Sequence, residues 1–311
     1  MTIAVDPDML PILEAMRAAP PIDYTAMPIA EAREVFQRGM APWVALAPPN
    51  LVVDEMMVPG ATAPLRARLY RPTAEKLPLI VFVHGGGWTF GSIDSHENEM
   101  RYLALASGCA VLGFDYRLAP EFPFPAPLDD VLALIDAVRG GALGDLAEAG
   151  HLAVAGDSAG ANLALGCLLA LRMAGKPLPA AAGLFYGCFA PTFDDESHRL
   201  FGDGAFGLTT ARMRWYWGNF LGAAAAAPPL FAAPLGADFS GLPPLYLMAA
   251  GLDPLRDDTP ALAARLKAAG VEHRTVEIPG VIHGFLGRAP KLPIAQKAVA
   301  EAGAFLAAKL K

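Results

Sequence analysis

A serine held between closely spaced glycines is the first group in the sequence that could do covalent chemistry. Ser158 lies in the segment GDSAG at 156–160, between an apolar run at 152–155 and an Ala/Leu-rich helical pattern. This spacing at a strand-to-helix turn is typical of a nucleophile elbow, where the serine backbone is strained and larger neighbours would collide. The alternative role for Ser158 is a helix N-cap, which serine often fills. Alone, the pattern is weak evidence, so its weight depends on what accompanies it.

A second glycine cluster could supply backbone N–H donors. The segment HGGGW at 84–88 directly follows the apolar run 79–83. Acyl transfer passes through a tetrahedral oxyanion, which preorganised N–H groups stabilise. We predict that the amides of Gly86, Gly87 and Ala159 converge on that charge to form an oxyanion hole. A dinucleotide-binding loop is the competing interpretation, and it is disfavoured because no G-x-G-x-x-G is present.

A serine hydroxyl becomes a nucleophile only when a base takes its proton, and the base needs an acid to fix its tautomer. In α/β-hydrolases the chain order is nucleophile, acid, base. Only His273 and His283 follow a plausible acid. His283 is preferred because it comes just after the carboxyl end of a predicted strand, where open α/β sheets hold their sites. His273 lies at the opposite end of that strand.

The acid is predicted from its position after another strand. Asp253 follows the strand predicted to end at residue 250, whereas Asp257 and Asp258 lie a turn later. A helix N-cap or dipole role explains those two adequately. Asp157, beside the nucleophile, is interpreted as a structural hydrogen-bonding group. The predicted catalytic triad is therefore Ser158, Asp253 and His283.

The elements that must position these groups follow an α/β pattern. Apolar runs typical of strands alternate with longer amphipathic segments, as in a mostly parallel sheet flanked by helices. The predicted strands are 65–70, 79–83, 111–116, 152–156, 181–186, 245–250 and 275–278. The predicted core helices are 97–106, 128–138, 159–173, 257–269 and 293–309. Residues 1–48 and 190–237, with a helix at 210–221, are expected to form a split helical cap on a core of 49–189 and 238–311.

Composition excludes several classes of protein. Hydrophobic residues make up 54% of the 311 residues and charged residues 18%, which supplies a large core and excludes a disordered chain. A net charge of −7 repels phosphate backbones and anionic lipid, so neither nucleic acid nor a membrane is expected as a partner. The longest charge-free run, 215–237, contains three prolines that break a membrane helix.

Cysteine usage and the amino terminus favour a cytoplasmic protein. Cys109, Cys167 and Cys188 are far apart and lie in apolar surroundings, which predicts reduced, buried thiols. The first residues are acidic where a signal peptide would be basic. No metal site is predicted, because His96 begins a metalloprotease-like helix whose second histidine is replaced by Met100.

Four aromatic side chains are candidates for substrate contacts. Trp215 and Trp217 could line a pocket from the predicted cap helix, and Trp88 and Phe285 adjoin the glycine-rich loop and the candidate base. The alternative is ordinary packing, which is the more frequent role of an aromatic helix face.

Taken together, these motifs resemble those of the bacterial hormone-sensitive-lipase family of esterases (family IV), in its GDSAG subgroup. The likeness runs from about residue 50 to the end and rests on HGGGW at 84–88, DYRLAPE at 115–121, GDSAGANLA at 156–164, DPLRD at 253–257 and HGF at 283–285. The resemblance implies the α/β-hydrolase fold, the same triad and oxyanion hole, no cofactor, and short- to medium-chain esters as substrates. Ala161 and Phe122 depart from the common glycine and histidine of that family.

The leading hypothesis is a serine carboxylesterase that acts on a small-molecule ester through an acyl-enzyme intermediate. Because the base must be neutral, activity is expected to fall on the acid side of about pH 6–7. An amidase or acyltransferase with the same triad stays open, and so does a catalytically silent binding protein of this fold. The edge strand near 275–278 could pair two subunits into a homodimer.

Overall fold

Eight strands form one sheet in the order β1-β2-β4-β3-β5-β6-β7-β8 in the computed structural model, which describes residues 4–311. β1 and β2 pair antiparallel with their neighbours, and the remaining pairs are parallel. The strands are β1 Val52–Val58, β2 Leu65–Arg71, β3 Leu77–Val83, β4 Ala110–Phe114, β5 Ala147–Asp157, β6 Ala182–Phe185, β7 Leu245–Leu252 and β8 His273–Ile282.

Helices cover both faces of this sheet. Along β3, Leu79 and Val81 pack into one hydrophobic cluster, and Ile80 and Phe82 pack into the other. Because successive side chains point to opposite faces and both faces are covered, the strand reads as a continuous apolar run. The helices are α1 Leu10–Ala18, α2 Ile29–Val44, α3 Glu97–Ser107, α4 Ala126–Arg139, α5 Ala159–Met173, α6 Glu196–Phe201, α7 Thr210–Leu221, α8 Asp258–Ala268 and α9 Pro293–Lys309.

The α/β-hydrolase architecture predicted from the sequence is confirmed, with local differences. Each predicted strand is present, but β4 ends at Phe114 rather than at 116. The antiparallel edge strand β1 and the short helix α6 were not predicted. All three cysteines are free and buried, as expected.

The two helical segments that were predicted to form the cap contact each other. The Arg17 guanidinium on α1 donates to the carbonyl oxygen of Ala205 at 3.3 Å, and Arg212 on α7 donates to that of Ile22 at 3.4 Å. The boundaries of a separate cap, 1–48 with 190–237, stay a prediction. Within residues 4–311, no helix is both long enough and apolar enough to cross a membrane.

Candidate active site

The turn between β5 and α5 holds Ser158 in a strained conformation. Its φ is +53° and its ψ is −119°, a region that residues with side chains rarely adopt. The two flanking glycines make the turn possible. A Cβ on Gly156 would lie 2.6 Å from the backbone of Gly160, and a Cβ on Gly160 would overlap the carbonyl oxygen of Val83. The side chain of Ser158 makes no N-cap bond, so the N-cap alternative does not describe it.

Loops after β7 and β8 bring the predicted acid and base to this serine. His283 Nε2 lies 2.9 Å from Ser158 Oγ, and His283 Nδ1 lies 2.6 Å from Asp253 Oδ2. Asp253 is fully buried, and its Oδ1 accepts a bond from the Leu255 amide at 2.9 Å. The carboxylate is thus fixed on one side by backbone and on the other by the imidazole. The three side chains form a continuous chain in which proton transfer from the serine is geometrically possible.

The rejected candidates have other partners. His273 lies at the start of β8, where its Nδ1 is 2.9 Å from the carbonyl oxygen of Val271. Asp257 accepts from the Ser197 amide at 2.9 Å, and Asp258 accepts from the Phe189 amide at 2.7 Å. Neither aspartate caps α8 by a side-chain bond, so the N-cap role is wrong, whereas Asp258 does lie in the first turn of α8, where the alternative dipole role would place it. These two hydrogen bonds hold the chain that follows β6 against the start of α8.

The glycine-rich loop after β3 presents its amides beside Ser158. Gly86 and Gly87 have φ values of +107° and +60°, which turn their N–H groups out of any regular ladder. Within the described chain, the amides of Gly86, Gly87 and Ala159 donate to no protein acceptor. Such free N–H groups at a helix start and a glycine turn suit an oxyanion.

Buried polar groups hold this loop in position. Asp157 Oδ1 accepts a bond from the Gly85 amide at 2.7 Å, as its predicted structural role requires. The ring of His84 stacks on that of Tyr116 at 4.3 Å, and the Tyr116 hydroxyl donates to the His84 carbonyl oxygen at 2.9 Å. Burial lowers the pKa of His84 to about 3, so the ring is neutral at pH 7. His84 is therefore a structural support for the loop and not a second base.

The four aromatic residues predicted to contact substrate lie outside the cavity that contains Ser158. Trp88 is fully buried and stacks on Phe220 at 4.1 Å, with Trp217 at 4.6 Å. Trp215 packs against Phe90 at 5.7 Å, and Phe285 is fully buried against Tyr186. That prediction was wrong because the three tryptophans pack between α7 and the loop that follows β3, and Phe285 packs in the core. Side chains on the adjacent face of α7 line the cavity instead: Arg212, Met213 and Tyr216.

The cavity itself has a volume of about 830 Å³ and contains Ser158, His283, Gly86 and Gly87 in its wall. Most of the other residues that line the cavity were not predicted, because they lie in segments that contain no recognisable motif. They include Met16, Pro21, Tyr24, Phe36, Met40, Trp43, Glu99, Leu208 and Arg288. Apolar side chains dominate this wall, as is usual for sites that bind small organic molecules.

Two buried carboxyl groups in the cavity wall, those of Asp157 and Glu99, have raised pKa values. Burial raises the pKa of Asp157 to about 7, and burial with the neighbouring charge of Asp157 raises the pKa of Glu99 to about 8. Burial lowers the pKa of His96 to about 4. Among residues 4–311, no group of three or more His, Cys, Asp or Glu side chains is arranged to hold a metal ion.

Comparison with known proteins agrees with this geometry. A family model for the alpha/beta hydrolase fold matches residues 80–287, about two thirds of the chain. The chain therefore belongs to the α/β-hydrolase family, and its relatives support the bacterial hormone-sensitive-lipase (family IV) type within it.

Named relatives include two proteins of Mycobacterium tuberculosis. The carboxylic ester hydrolase LipN is 38% identical over 252 residues, which cover 78% of this chain and 67% of LipN. The carboxylesterase NlhH is 32% identical over 302 residues, which cover 94% and 93%. Among solved structures, the esterase of Pyrobaculum calidifontis superposes with a TM-score of 0.90 at 34% identity, over 98% of this chain and 99% of that one. LAE6, an α/β-hydrolase enzyme from the metagenome of Lake Arreo, gives a TM-score of 0.91 at 36% identity, over 98% of both chains.

Proposed function

We propose that this protein is a serine carboxylesterase that cleaves short- to medium-chain esters through an acyl-enzyme intermediate. One observation carries the proposal: the unbroken hydrogen-bonded series from Ser158 Oγ through the His283 ring to the buried Asp253 carboxylate. The named relatives are ester hydrolases, which supports the same reaction for this chain.

The geometry accounts for each step of that reaction. Ser158 Oγ attacks the ester carbonyl carbon while His283 Nε2 takes the hydroxyl proton, and Asp253 stabilises the imidazolium that forms. The carbonyl oxygen becomes an oxyanion that accepts bonds from the Gly86, Gly87 and Ala159 amides. Collapse of this intermediate breaks the C–O bond, and His283 returns the proton to the leaving alcohol. Water then attacks the acyl-enzyme with the same base, releasing the acid and restoring the serine.

The cavity supports a small ester as the substrate. A volume of about 830 Å³ lies within the range of sites for small organic molecules, and the wall includes apolar side chains from α1 and α2. We expect catalytic efficiency to rise from acetate to medium-chain p-nitrophenyl esters and to fall for chains as long as palmitate. A maximum at long, micellar chains would identify a true lipase instead.

A fluorophosphonate probe tests the nucleophile directly. Intact-protein mass spectrometry should show one adduct, located on Ser158 by peptide mapping, and the Ser158→Ala variant should show none. A natively folded wild-type protein whose mass stays unchanged would refute the proposal. Matched ester and anilide substrates distinguish the amidase alternative, because a faster anilide would exclude the esterase assignment.

We also propose that the protein is cytoplasmic and that two copies pair through β8. The pairing is supported by the position of β8 at one edge of the sheet, where its outer backbone groups can extend the sheet into a second copy. Light scattering after size exclusion should give twice the chain mass of 32.6 kDa. A proline at Val276, in the middle of β8, should shift that mass toward the monomer.

A further inference from the structure

A carboxyl group that the proposed reaction does not use lies in the wall of the cavity. Glu99, in the first turn of α3, is only 3% exposed and lines the same cavity as Ser158. Within the described chain its side chain has no hydrogen-bond partner on any other residue, and its Oε2 is enclosed. Oε1 lies against the backbone of Gly287, where an added Cβ would be only 2.7 Å away. A buried polar group left in this condition costs free energy unless a ligand or water supplies the missing bond.

A second unpartnered group lies close to this carboxyl. Arg288 also lines the cavity, and its Nε is enclosed without an acceptor in the described chain. The rest of its guanidinium is held, because Nη1 donates to the Gly284 carbonyl oxygen at 2.8 Å and the group lies 5.7 Å from the Trp43 ring. The charges of Arg288 and Glu99 act on each other, although no ion pair between these two described residues is present. Two buried polar groups of residues in the cavity wall, the Glu99 carboxyl and the Arg288 Nε–H, therefore lack a partner in the described chain.

The charges around these two groups restrict what can bind between them. Burial and the neighbouring Asp157 raise the pKa of Glu99, which favours its neutral carboxyl, and a neutral carboxyl can both donate and accept. A carboxylate ligand would add negative charge beside Asp157, and an ammonium group would add positive charge beside Arg288. An alkyl group would leave both protein groups without partners. A hydroxyl group donates one bond and accepts another, and it carries no charge.

We propose that Glu99, with Arg288, determines specificity by hydrogen-bonding a hydroxyl group on the substrate ester. The proposal rests on the esterase function above, because it assumes that the chain entering this end of the cavity belongs to the ester attacked by Ser158. The hydroxyl could belong to the acyl chain or to the alcohol chain, and both positions supply the same chemistry. The enzyme is then selective for hydroxylated esters over alkyl esters of equal length.

Two substrate series at pH 7 test this proposal. One compares ethyl hexanoate with isomers hydroxylated along the acyl chain, and the other compares hexyl acetate with isomers hydroxylated along the alcohol chain. The measured quantity is the ratio of kcat/KM for each hydroxylated ester to that of its alkyl partner. We expect the best isomer in one series to exceed its alkyl partner at least about tenfold in the wild-type enzyme.

Three variants assign that ratio to Glu99. Glu99→Met, which removes both hydrogen-bonding atoms at similar length, should bring the ratio close to one, and Glu99→Gln should retain most of it because an amide also donates and accepts. Glu148→Met makes the same chemical change on an exposed residue and should leave the ratio unaltered. Replacing an unpaired buried carboxyl by methionine should preserve folding, which thermal unfolding checks.

The outcomes separate this proposal from the proposed function. Hydrolysis of both partners at equal efficiency in the wild-type enzyme would overturn the hydroxyl assignment, since only water would then satisfy Glu99. Loss of the preference in both Glu99 variants would overturn it too, because that result requires a charged interaction. Absence of hydrolysis for every ester would instead refute the esterase function.

Discussion

Replacing Gly87 by alanine should displace the glycine-rich loop, and with it the proposed oxyanion hole, by a collision that the structure defines. The φ of Gly87 is +60°, and a Cβ there would lie 2.6 Å from Cδ2 of Tyr216 and closer still to Cγ and Cδ1. The Tyr216 ring is only 6% exposed and packs edge-on against Phe90 at 5.6 Å. It cannot withdraw freely, so the loop, the ring or both must shift by on the order of 1 Å to restore van der Waals contact.

The expected magnitude follows from what the loop does. A displacement of about 1 Å moves the Gly86 and Gly87 amides out of hydrogen-bond range of an oxyanion, and loss of one donor costs roughly a hundred- to a thousandfold in kcat. The left-handed backbone adds about 1–2 kcal/mol of strain for alanine, and overpacking adds about 1–3 kcal/mol. Steady-state kinetics on p-nitrophenyl butyrate and thermal unfolding measure the two effects separately.

A second substitution tests whether the collision is the cause. Tyr216→Ala opens the space that the new methyl group needs, so the Gly87→Ala, Tyr216→Ala double variant should recover at least about tenfold in kcat over Gly87→Ala alone. The Tyr216→Ala single variant completes the double-mutant cycle, which isolates the interaction between the two positions. Strictly additive losses, or a Gly87→Ala enzyme within threefold of wild type, would refute this account of the loop.

The remaining predictions concern the acid, the support of the loop and the buried carboxyl. Asp253→Asn should lower kcat by about 10⁴-fold with little change in KM, because His283 then takes the wrong tautomer; a loss under tenfold would remove Asp253 from the triad. Asp157→Ala frees the Gly85 amide and should cost kcat more than Asp157→Asn, which keeps an acceptor, and equal rates would contradict a positioning role. Folding raises the pKa of Glu99 from 4.5 to about 8, so its contribution to stability is lost as pH rises through that interval. Glu99→Gln should therefore gain stability over wild type by up to a few kcal/mol more at pH 9 than at pH 5, and thermal unfolding with the same difference at both pH values would contradict the buried-acid interpretation.

The sequence predicted the central elements well because their signals are local. The apolar run at 79–83 and the Ala/Leu helix at 159–173 each carry their own periodicity, and the structure has them at β3 and α5 with bounds that differ by two residues at most. β1 escaped prediction because it is a half-exposed antiparallel strand. Its sequence VVDEMMV contains two acids and only Val58 is buried, so it shows neither a continuous apolar run nor a clear alternation.

The cavity wall could not be predicted because it depends on how remote segments dock. Trp215 and Trp217 flank Tyr216 in sequence, yet helical geometry turns each residue about 100° from the next, so only one of the three lines the cavity. Which one does so is decided by the rotation of α7 on the glycine-rich loop. Glu99 was overlooked for a related reason. An acid in the first turn of a helix ordinarily serves the helix dipole in solvent, whereas Glu99 is buried and Gly287 packs against its carboxyl.

These contacts make the outer helices part of the catalytic geometry rather than a removable cover. Trp88 ends the glycine-rich loop with φ +56° and stacks on Phe220 of α7, while Arg33 of α2 donates to the Thr89 and Ala119 carbonyl oxygens at 2.9 and 3.0 Å. Side chains of the same helices line the cavity a few residues away. A change in how α2 or α7 docks would therefore move the proposed oxyanion donors and the cavity wall together. Under the proposed mechanism, selection for a new substrate through these helices would act on kcat as well as on KM, because the residues that shape the pocket also hold the loop that we propose to stabilise the transition state.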